Sequence, residues 1–198
     1  EGSKIEHIDH LIKGFGMPMG PFTLADTVGI DVGYKVASIL REEYGYRMPI
    51  APLIEKMYDA NYLGKKSENG GFYKYDGKDD FVNEHVISML SNNSKIIPDD
   101  EIIQRCLYIM INEASRCLEE NIVTDASIID FAMITGTGFP AFRGGLLTYA
   151  NEIGLRNILE SLRQFEKDYV SRFAPTNLLI KLVEEHEDFE TGEVLWKR

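Results

Sequence analysis

Four histidines and two cysteines are the side chains of this 198-residue chain that could act as bases, nucleophiles or soft metal ligands. His7 and His10 are three residues apart, but no glutamate is placed as in the HExxH zinc motif. Cys106 and Cys117 form no CxxC pair, and no histidine accompanies a GxSxG nucleophile motif. These spacings predict neither a metal site nor a catalytic nucleophile, and we expect His7 and His10 to be exposed helix residues.

Glycines and prolines define two unusual segments, GMPMGPF at residues 16–22 and GFPAFRGG at residues 138–145. A dinucleotide site requires a strand, a GxGxxG turn and a helix, whereas the glycines at 14–20 have GxGxxxG spacing after a predicted helix. The segments suit a rigid corner between helices. They also suit the lining of an elongated apolar ligand through Met17, Met19 and Phe22. Both interpretations stay open. Two interpretations also stay open for Arg143, which could contact an anion or cap the C-terminus of a helix.

Charge and hydropathy exclude several classes of function. Asp and Glu total 32 against 21 Lys and Arg, and a net charge of −11 disfavours nucleic acid and anionic lipid as partners. No apolar run approaches the roughly 18 residues of a membrane span. Cys106 and Cys117 on one helix would lie about 16 Å apart, so we expect free thiols and a reducing compartment. The chain begins with Glu1 without a signal-peptide pattern, and we expect a fragment of a longer protein.

Apolar periodicity predicts a helical protein with one short extended stretch near residues 72–75. On the longest helix we expect a buried face of Ile103, Cys106, Met110, Ala114, Cys117 and Leu118. Asn112 and Glu113 on that helix either cap a neighbouring loop or face a ligand, and we favour the cap. We expect Thr124 or Ser127 to be the N-cap of the next helix. The predicted helices cover residues 4–14, 22–28, 31–44, 52–60, 81–90, 100–121, 125–133, 146–153, 155–169 and 175–186.

The sequence contains an internal repeat that pairs residues 7–30 with residues 128–155. Asp9 matches Asp130, and Gly29 matches Gly154; further on, Arg47 matches Arg172 at a separation of 125. FYKY at residues 72–75 corresponds to LWKR at residues 195–198. We therefore predict two domains, 1–97 and 98–198, and expect the first copy to lack a counterpart of the helix at 100–121.

The strings IDHLIKGFGMPMGPFTLADTVGID and YLGKKSENGGFYKY resemble the C-terminal domain of 3-hydroxyacyl-CoA dehydrogenase. The second half, with NEASRCLEENIV and GTGFPAFRGGLLTYANEIG, resembles a duplicate of that domain, as in the multifunctional α subunits of fatty acid oxidation. The resemblance implies an all-α fold of two tandem repeats similar to the helical domain of 6-phosphogluconate dehydrogenases. It also implies an oxidoreductase that converts 3-hydroxyacyl-CoA to 3-ketoacyl-CoA with NAD in the parent enzyme.

The resemblance also locates the site residues. The family's catalytic histidine and glutamate lie in an NAD domain that this chain lacks, so we expect no catalytic, cofactor-binding or metal-binding residue here. The family's substrate-binding asparagine lies on a helix missing from the first copy, and the second copy has Gln104-Arg105 at the corresponding place. The residues that resemble a wall beside the acyl-thioester form a corner, the acyl corner: Pro18, Met19, Gly20, Pro21 and Phe22.

The implied partners are an acyl-CoA substrate, bound through the missing N-terminal domains, and a thiolase subunit; a homodimer is left open. We expect the chain to close the substrate cleft, to be inactive alone and to be cytoplasmic. The alternative is a stand-alone helical oligomerisation module without catalysis.

Overall fold

A computed structural model describes residues 2–77, 80–90 and 95–192 of the chain. Within these residues the fold is all-α, as predicted, apart from one antiparallel pair of short strands. No helix of the described part is long and apolar enough to cross a bilayer. The elements in chain order are α1 Ile5–Phe15, α2 Pro21–Val28, α3 Ile30–Tyr44, α4 Pro52–Asp59, β1 Tyr73–Tyr75, β2 Asp80–Val82, α5 Glu84–Ser88, α6 Asp99–Glu119, α7 Ala126–Ala132, α8 Leu146–Ile153, α9 Leu155–Asp168 and α10 Asn177–Glu184.

The chain divides into two compact units. The first unit comprises Glu1–Phe15 and Met19–Asp99, and its core is formed by Ile5, Ile30, Met57, Phe72, Tyr73 and Val86. The second unit comprises Gly16–Pro18 and Asp100–Arg198, and its fully buried apolar residues include Ile111, Leu118, Leu147, Ile158, Leu162 and Leu182.

The internal repeat is visible element by element. Helix α8 lies 125 positions after α2 at both ends, and α10 lies 125 positions after α4 at both ends. The α2–α3 break at Gly29 and the α8–α9 break at Gly154 both use a positive φ, 103° and 88°, which favours glycine. The two units therefore fold the same sequence pattern into the same order of helices.

Two expectations about local structure are wrong. The helix predicted over residues 81–90 begins only at Glu84, because Asp80–Val82 pairs with β1 in the register Tyr73↔Val82. Helix α7 begins at Ala126 after the N-cap Asp125, so neither Thr124 nor Ser127 is its N-cap. The proposed partner of FYKY, LWKR at 195–198, lies outside the described residues.

The buried face of α6 also differs from the predicted one. Ala114 is buried as expected and Leu118 is completely enclosed, whereas Ile103, Cys106, Met110 and Cys117 are only half-buried. The fully buried apolar positions instead include Ile102, Leu107 and Ile111. Because α6 has few exposed residues, hydrophobic spacing alone does not define a single inward face.

A carboxylate from the preceding helix caps α2 in the first unit and α8 in the second. Asp9 of α1 accepts hydrogen bonds from the backbone N–H groups of Phe22 (2.8 Å) and Thr23 (3.0 Å) and from the Thr23 hydroxyl (2.7 Å). Asp130 of α7 accepts the same three bonds from Leu147 and Thr148, at 2.6, 3.0 and 2.7 Å. Each carboxylate satisfies first-turn N–H groups that have no partner within the helix and lies at its positive end.

Glycine is required at the N-cap of both capped helices. A Cβ on Gly20 would lie under 3.0 Å from the Asp9 carboxylate, and one on Gly145 would overlap Asp130 in the same way. The absence of a side chain lets the carboxylate approach the helix end closely. One glycine in each of the two unusual segments, Gly20 and Gly145, thus has the same structural reason.

We predict that Asp9→Ala destabilises the first unit by about 3 kcal/mol, because it leaves the N–H groups and hydroxyl that bond this carboxylate without an acceptor. Glu6→Ala removes an exposed carboxylate from the same helix and is the matched control. Urea unfolding followed by circular dichroism measures both changes. Equal, small effects of the two substitutions would contradict the capping role.

Candidate functional site

The five residues of the acyl corner have different surroundings. Pro18 belongs to the short segment grouped with the second unit, whereas Met19–Phe22 belongs to the first. Gly20 is buried as the N-cap of α2, and Phe22 is half-buried with its ring 4.7 Å from that of Phe72. Pro18 and Pro21 are exposed, and Met19 is half-buried. Gly20 and Phe22 therefore fix the N-terminal end of α2, while Met19 and Pro21 contribute to the surface of the first unit.

Asp26 of α2 connects this helix to β1 in the first unit. Its carboxylate is completely enclosed and accepts bonds from the backbone N–H of Phe72 and of Tyr73, both at 2.9 Å. The Tyr75 hydroxyl donates a third bond at 2.8 Å. At the position 125 residues later, Asn151 accepts one bond from the backbone N–H of Phe189, at 3.1 Å. Phe189 thus plays in the second unit the part that Phe72 plays in the first.

The glycine-rich turn before β1 makes room for Asp26. A Cβ on Gly71 would overlap the Asp26 carboxylate, and one on Gly64 would overlap the Asp26 backbone. Gly64 also has a φ of 94°. The buried Asn83 donates to the carbonyls of Asn69 and Gly71, at 3.0 Å each, and so fixes the other side of the turn. The motif GKKSENGGF therefore builds the carboxylate's pocket.

Two tyrosines complete the network as hydrogen-bond donors. The Tyr73 hydroxyl donates to Asp9 at 2.9 Å, and that of Tyr75 donates to Asp26. Burial, reinforced by the bonded carboxylates, raises the pKa of both phenols well above the ordinary value. Both hydroxyls consequently stay protonated at neutral pH. The network holds α2 against β1. It offers no free base to a substrate, because both of its carboxylates accept hydrogen bonds from groups of the first unit.

Three other basic groups of the first unit lie close to a partner side chain at its surface. Lys66 forms a 2.6 Å ion pair with Asp31, and Lys65 lies 5.3 Å from the centre of the Tyr75 ring. His7 lies 2.7 Å from the Asp99 carboxylate, but the two side chains are 43% and 61% exposed. The contact is therefore a hydrogen bond between two exposed side chains at the surface of the first unit. Among the described residues, no group of three or more His, Cys, Asp and Glu side chains could hold a metal ion.

Sequence reasoning missed the roles of three carboxylates, those of Asp9 and Asp26 in the first unit and that of Asp130 in the second. Asp9 and Asp130 were aligned by the repeat, but their partners lie 13–18 residues further along the chain. A usable signal was present in the recurrence of Gly-x-x-Thr after each aspartate, at residues 20–23 and 145–148. Asp26 carried no such signal, because its partners are separated from it by 46–49 residues.

We predict opposite pH dependences for two aspartates. Burial raises the pKa of Asp26 above 3.8, so its contribution to stability is full below that pH and is lost as pH rises through the folded-state pKa. The Lys66 hydrogen bond lowers the pKa of Asp31, whose contribution is present above pH 3.8 and is lost as pH falls through its folded-state pKa. The stability of Asp26→Asn relative to wild type should therefore rise with pH, and that of Asp31→Asn should fall.

Urea unfolding at a series of pH values from about 3 to 7 measures both differences. Asparagine at position 26 is also the side chain that the second unit uses at position 151. If the stability difference from wild type changed with pH in the same direction for both variants, the opposite pKa shifts assigned to Asp26 and Asp31 would be contradicted.

Comparison with known proteins places both halves of the chain in one family. The family model described as "3-hydroxyacyl-CoA dehydrogenase, C-terminal domain" matches residues 1–75 and 102–191. Two relatives are fatty acid oxidation complex α subunits, from Shewanella frigidimarina (38% identical) and Idiomarina loihiensis (40% identical). The alignments cover 96% and 95% of this chain, but the chain spans only 27% of each relative.

Two solved structures have a similar fold. The dehydrogenase part of multifunctional enzyme 1 from Caenorhabditis elegans is 30% identical, with a TM-score of 0.64 over 91% of this chain and 42% of its own. The 3-hydroxybutyryl-CoA dehydrogenase of Escherichia coli is 19% identical with a TM-score of 0.73 over 93% of this chain and 56% of its own, which shows the shared fold.

The family model covers most of the sequence and extends over both copies of the repeat. The chain therefore belongs to the family of 3-hydroxyacyl-CoA dehydrogenase C-terminal domains.

Proposed function

We propose that these residues are the paired helical domains of an NAD-dependent 3-hydroxyacyl-CoA dehydrogenase of fatty acid β-oxidation. The observation that carries the proposal is the family match to both copies. The proposed domains are residues 1–97 and 98–198. The division into compact units supports them, because the main boundary between these units in the sequence lies between Asp99 and Asp100. The chain spans about a quarter of the α subunits it resembles, so the activity belongs to a longer enzyme.

The described residues do not fit NAD. They contain no parallel strand pair with a crossover helix, and the glycine-rich turn at the acyl corner follows α1 and precedes α2. The carboxylates near that corner are occupied by backbone and hydroxyl donors. We therefore assign hydride transfer and proton abstraction to other parts of the longer enzyme and propose that residues 1–198 are inactive alone.

The proposed role of the acyl corner is to form an apolar wall beside the acyl-thioester. Asp9 and Gly20 fix the first turn of α2, and Phe22 anchors it against Phe72. Met19 and Pro21 then form the part of the wall that the first unit contributes, and Pro18 continues it along the chain. An apolar wall of fixed shape excludes water and aligns an acyl chain without reacting with it.

The second copy has a structural role in this proposal. The Arg105 guanidinium lies 4.0 Å from the centre of the Tyr169 ring and 3.8 Å from the Glu101 carboxylate. Asn112 bonds the Ala174 carbonyl and the Thr176 N–H, as expected for a loop cap. These polar groups of α6 are used within the second unit. The relatives' names further suggest a multisubunit complex, in which we propose a thiolase as the partner.

We predict that Met19→Asp in the complete enzyme raises KM for acetoacetyl-CoA about tenfold, because it places a charge in an apolar wall. Ala141→Asp, at the corner of the second copy, is the matched control and should leave KM unchanged. Initial rates of NADH oxidation measure both variants.

Residues 1–198 alone should give no NADH oxidation with acetoacetyl-CoA. Turnover by this chain would overturn the assignment of the chemistry to another part of the enzyme. Unchanged kinetics in a folded Met19→Asp enzyme would overturn the wall while leaving that assignment in place.

A further inference from the structure

Gly16–Pro18 comes from the first copy of the sequence repeat, yet it belongs to the second compact unit. It directly precedes Met19, and its last residue is itself part of the acyl corner. Within the second unit this segment lies against residues 138–142, which have the sequence GFPAF. The second copy therefore surrounds the residues through which the chain enters the acyl corner.

The contact is reciprocal, because a Gly-x-Pro pattern is present on both sides of it. A Cβ on Gly138 would lie 2.8 Å from Cγ of Pro18, and one on Gly16 would lie 3.0 Å from Cβ of Pro140. Each glycine thus faces the proline of the other Gly-x-Pro. Contacts of this kind are typical of two-fold interfaces, in which residue i contacts residue j and j contacts i. The two glycines therefore have a role that is separate from the capping of α2 and α8.

Both glycines have backbone conformations and surroundings that exclude a side chain. The φ angle is 120° at Gly16 and 73° at Gly138, and both values favour glycine. The distances that a Cβ would make, 2.8 and 3.0 Å, are shorter than the 3.4–4 Å of ordinary van der Waals contact. The close approach of the two backbones therefore fixes the place of Pro18 within the second unit.

Phe142 holds the other end of the segment. Its ring atoms Cζ and Cε1 would lie 3.0 and 3.1 Å from a Cβ on Gly16. The ring is 77% exposed, so its removal should cost the core of the second unit little. Two residues just before it in the chain, Phe139 and Pro140, are buried. Phe142 therefore starts from an anchored backbone and contacts Gly16 without being part of the core.

The second copy does not repeat the apolar surface of the acyl corner. Counting back from the glycine N-caps of α2 and α8, the positions of Pro18 and Met19 are taken by Arg143 and Gly144. A cation and a residue without a side chain do not form an apolar wall. The second copy is therefore suited to support the acyl corner of the first copy and not to form one of its own.

We propose that Gly138 and Phe142 are positioning residues for the acyl corner. They hold Gly16–Pro18 and thereby set the place of Pro18 and the direction in which the chain continues to Met19. The inference rests on the proposed function of the corner as a wall beside the acyl-thioester. Neither residue contacts the substrate in this proposal, so their effect on substrate binding passes through Pro18.

Phe142→Ala in the complete enzyme should raise KM for acetoacetyl-CoA about threefold, because it opens space beside Gly16 and lets the segment shift. The kcat value and KM for NADH should stay at the wild-type level. Phe131→Ala is the matched control, since Phe131 is a 70% exposed phenylalanine of α7, and it should leave all three constants unchanged. Phe142→Met keeps a long apolar side chain and should return KM to within about twofold of wild type.

A double substitution tests whether Phe142 acts through Pro18. Pro18→Gly frees the backbone of the segment and should raise KM for acetoacetyl-CoA by itself. Adding Phe142→Ala should then change KM by less than about 1.5-fold, because the effects of residues that act through one contact do not add. Additive effects would overturn the proposal. So would a rise in KM with Phe131→Ala as large as that with Phe142→Ala, or a loss confined to kcat and melting temperature, which marks a purely structural role.

The Met19→Asp enzyme separates this inference from the proposed wall. If Met19→Asp raises KM and Phe142→Ala does not, the positioning role is overturned and the wall stands. If neither substitution raises KM, the wall is overturned and the positioning role with it. Gly138→Ala places a Cβ against Pro18, should also raise KM, and replaces Phe142→Ala if that variant fails to fold.

Discussion

The structure depends on one interaction, the contact between an aspartate of one helix and the first turn of the next. Asp9 makes it in the first unit and Asp130 in the second, with the same three donors in each. Charge-assisted bonds to backbone N–H groups are stronger than neutral ones, and the helix dipole adds to them. Because the carboxylate must reach the backbone, the N-cap position accepts only glycine in practice. The angle between the two helices is thereby fixed in each copy.

This constraint gives the acyl corner a fixed backbone, and it engages the polar groups around the corner within the first unit. Four groups near the corner could exchange protons, but their hydrogen bonds hold α2 against β1. These groups are Asp9, Asp26, Tyr73 and Tyr75. What they leave at the surface of the first unit is an apolar edge made by Met19 and Pro21. Under the proposal that the acyl corner is a wall beside the acyl-thioester, such a division is useful, since positioning demands rigidity and proton transfer demands accessible groups.

The extent to which the sequence predicts this structure follows from the range of each interaction. Helices such as α8 were predicted to the residue, because apolar periodicity and flanking glycines are local. The internal repeat also predicted that helices of the first unit recur in the same order in the second. Strand β2 was missed because its three residues have no pattern apart from their pairing with Tyr73–Tyr75. The expected end of the repeat at LWKR lies outside the described residues, and Phe189 provides the contact to Asn151.

The most direct test of the carboxylate caps is amide hydrogen exchange by NMR at the first turns of the helices. The amides of Phe22, Thr23, Leu147 and Thr148 should exchange far more slowly than that of Leu53 in α4, whose N-cap Ala51 has no side-chain acceptor. Slow exchange at all four positions would support the same cap in both copies. Exchange as fast as that of Leu53 at either pair would contradict the interaction on which this account of the corner depends.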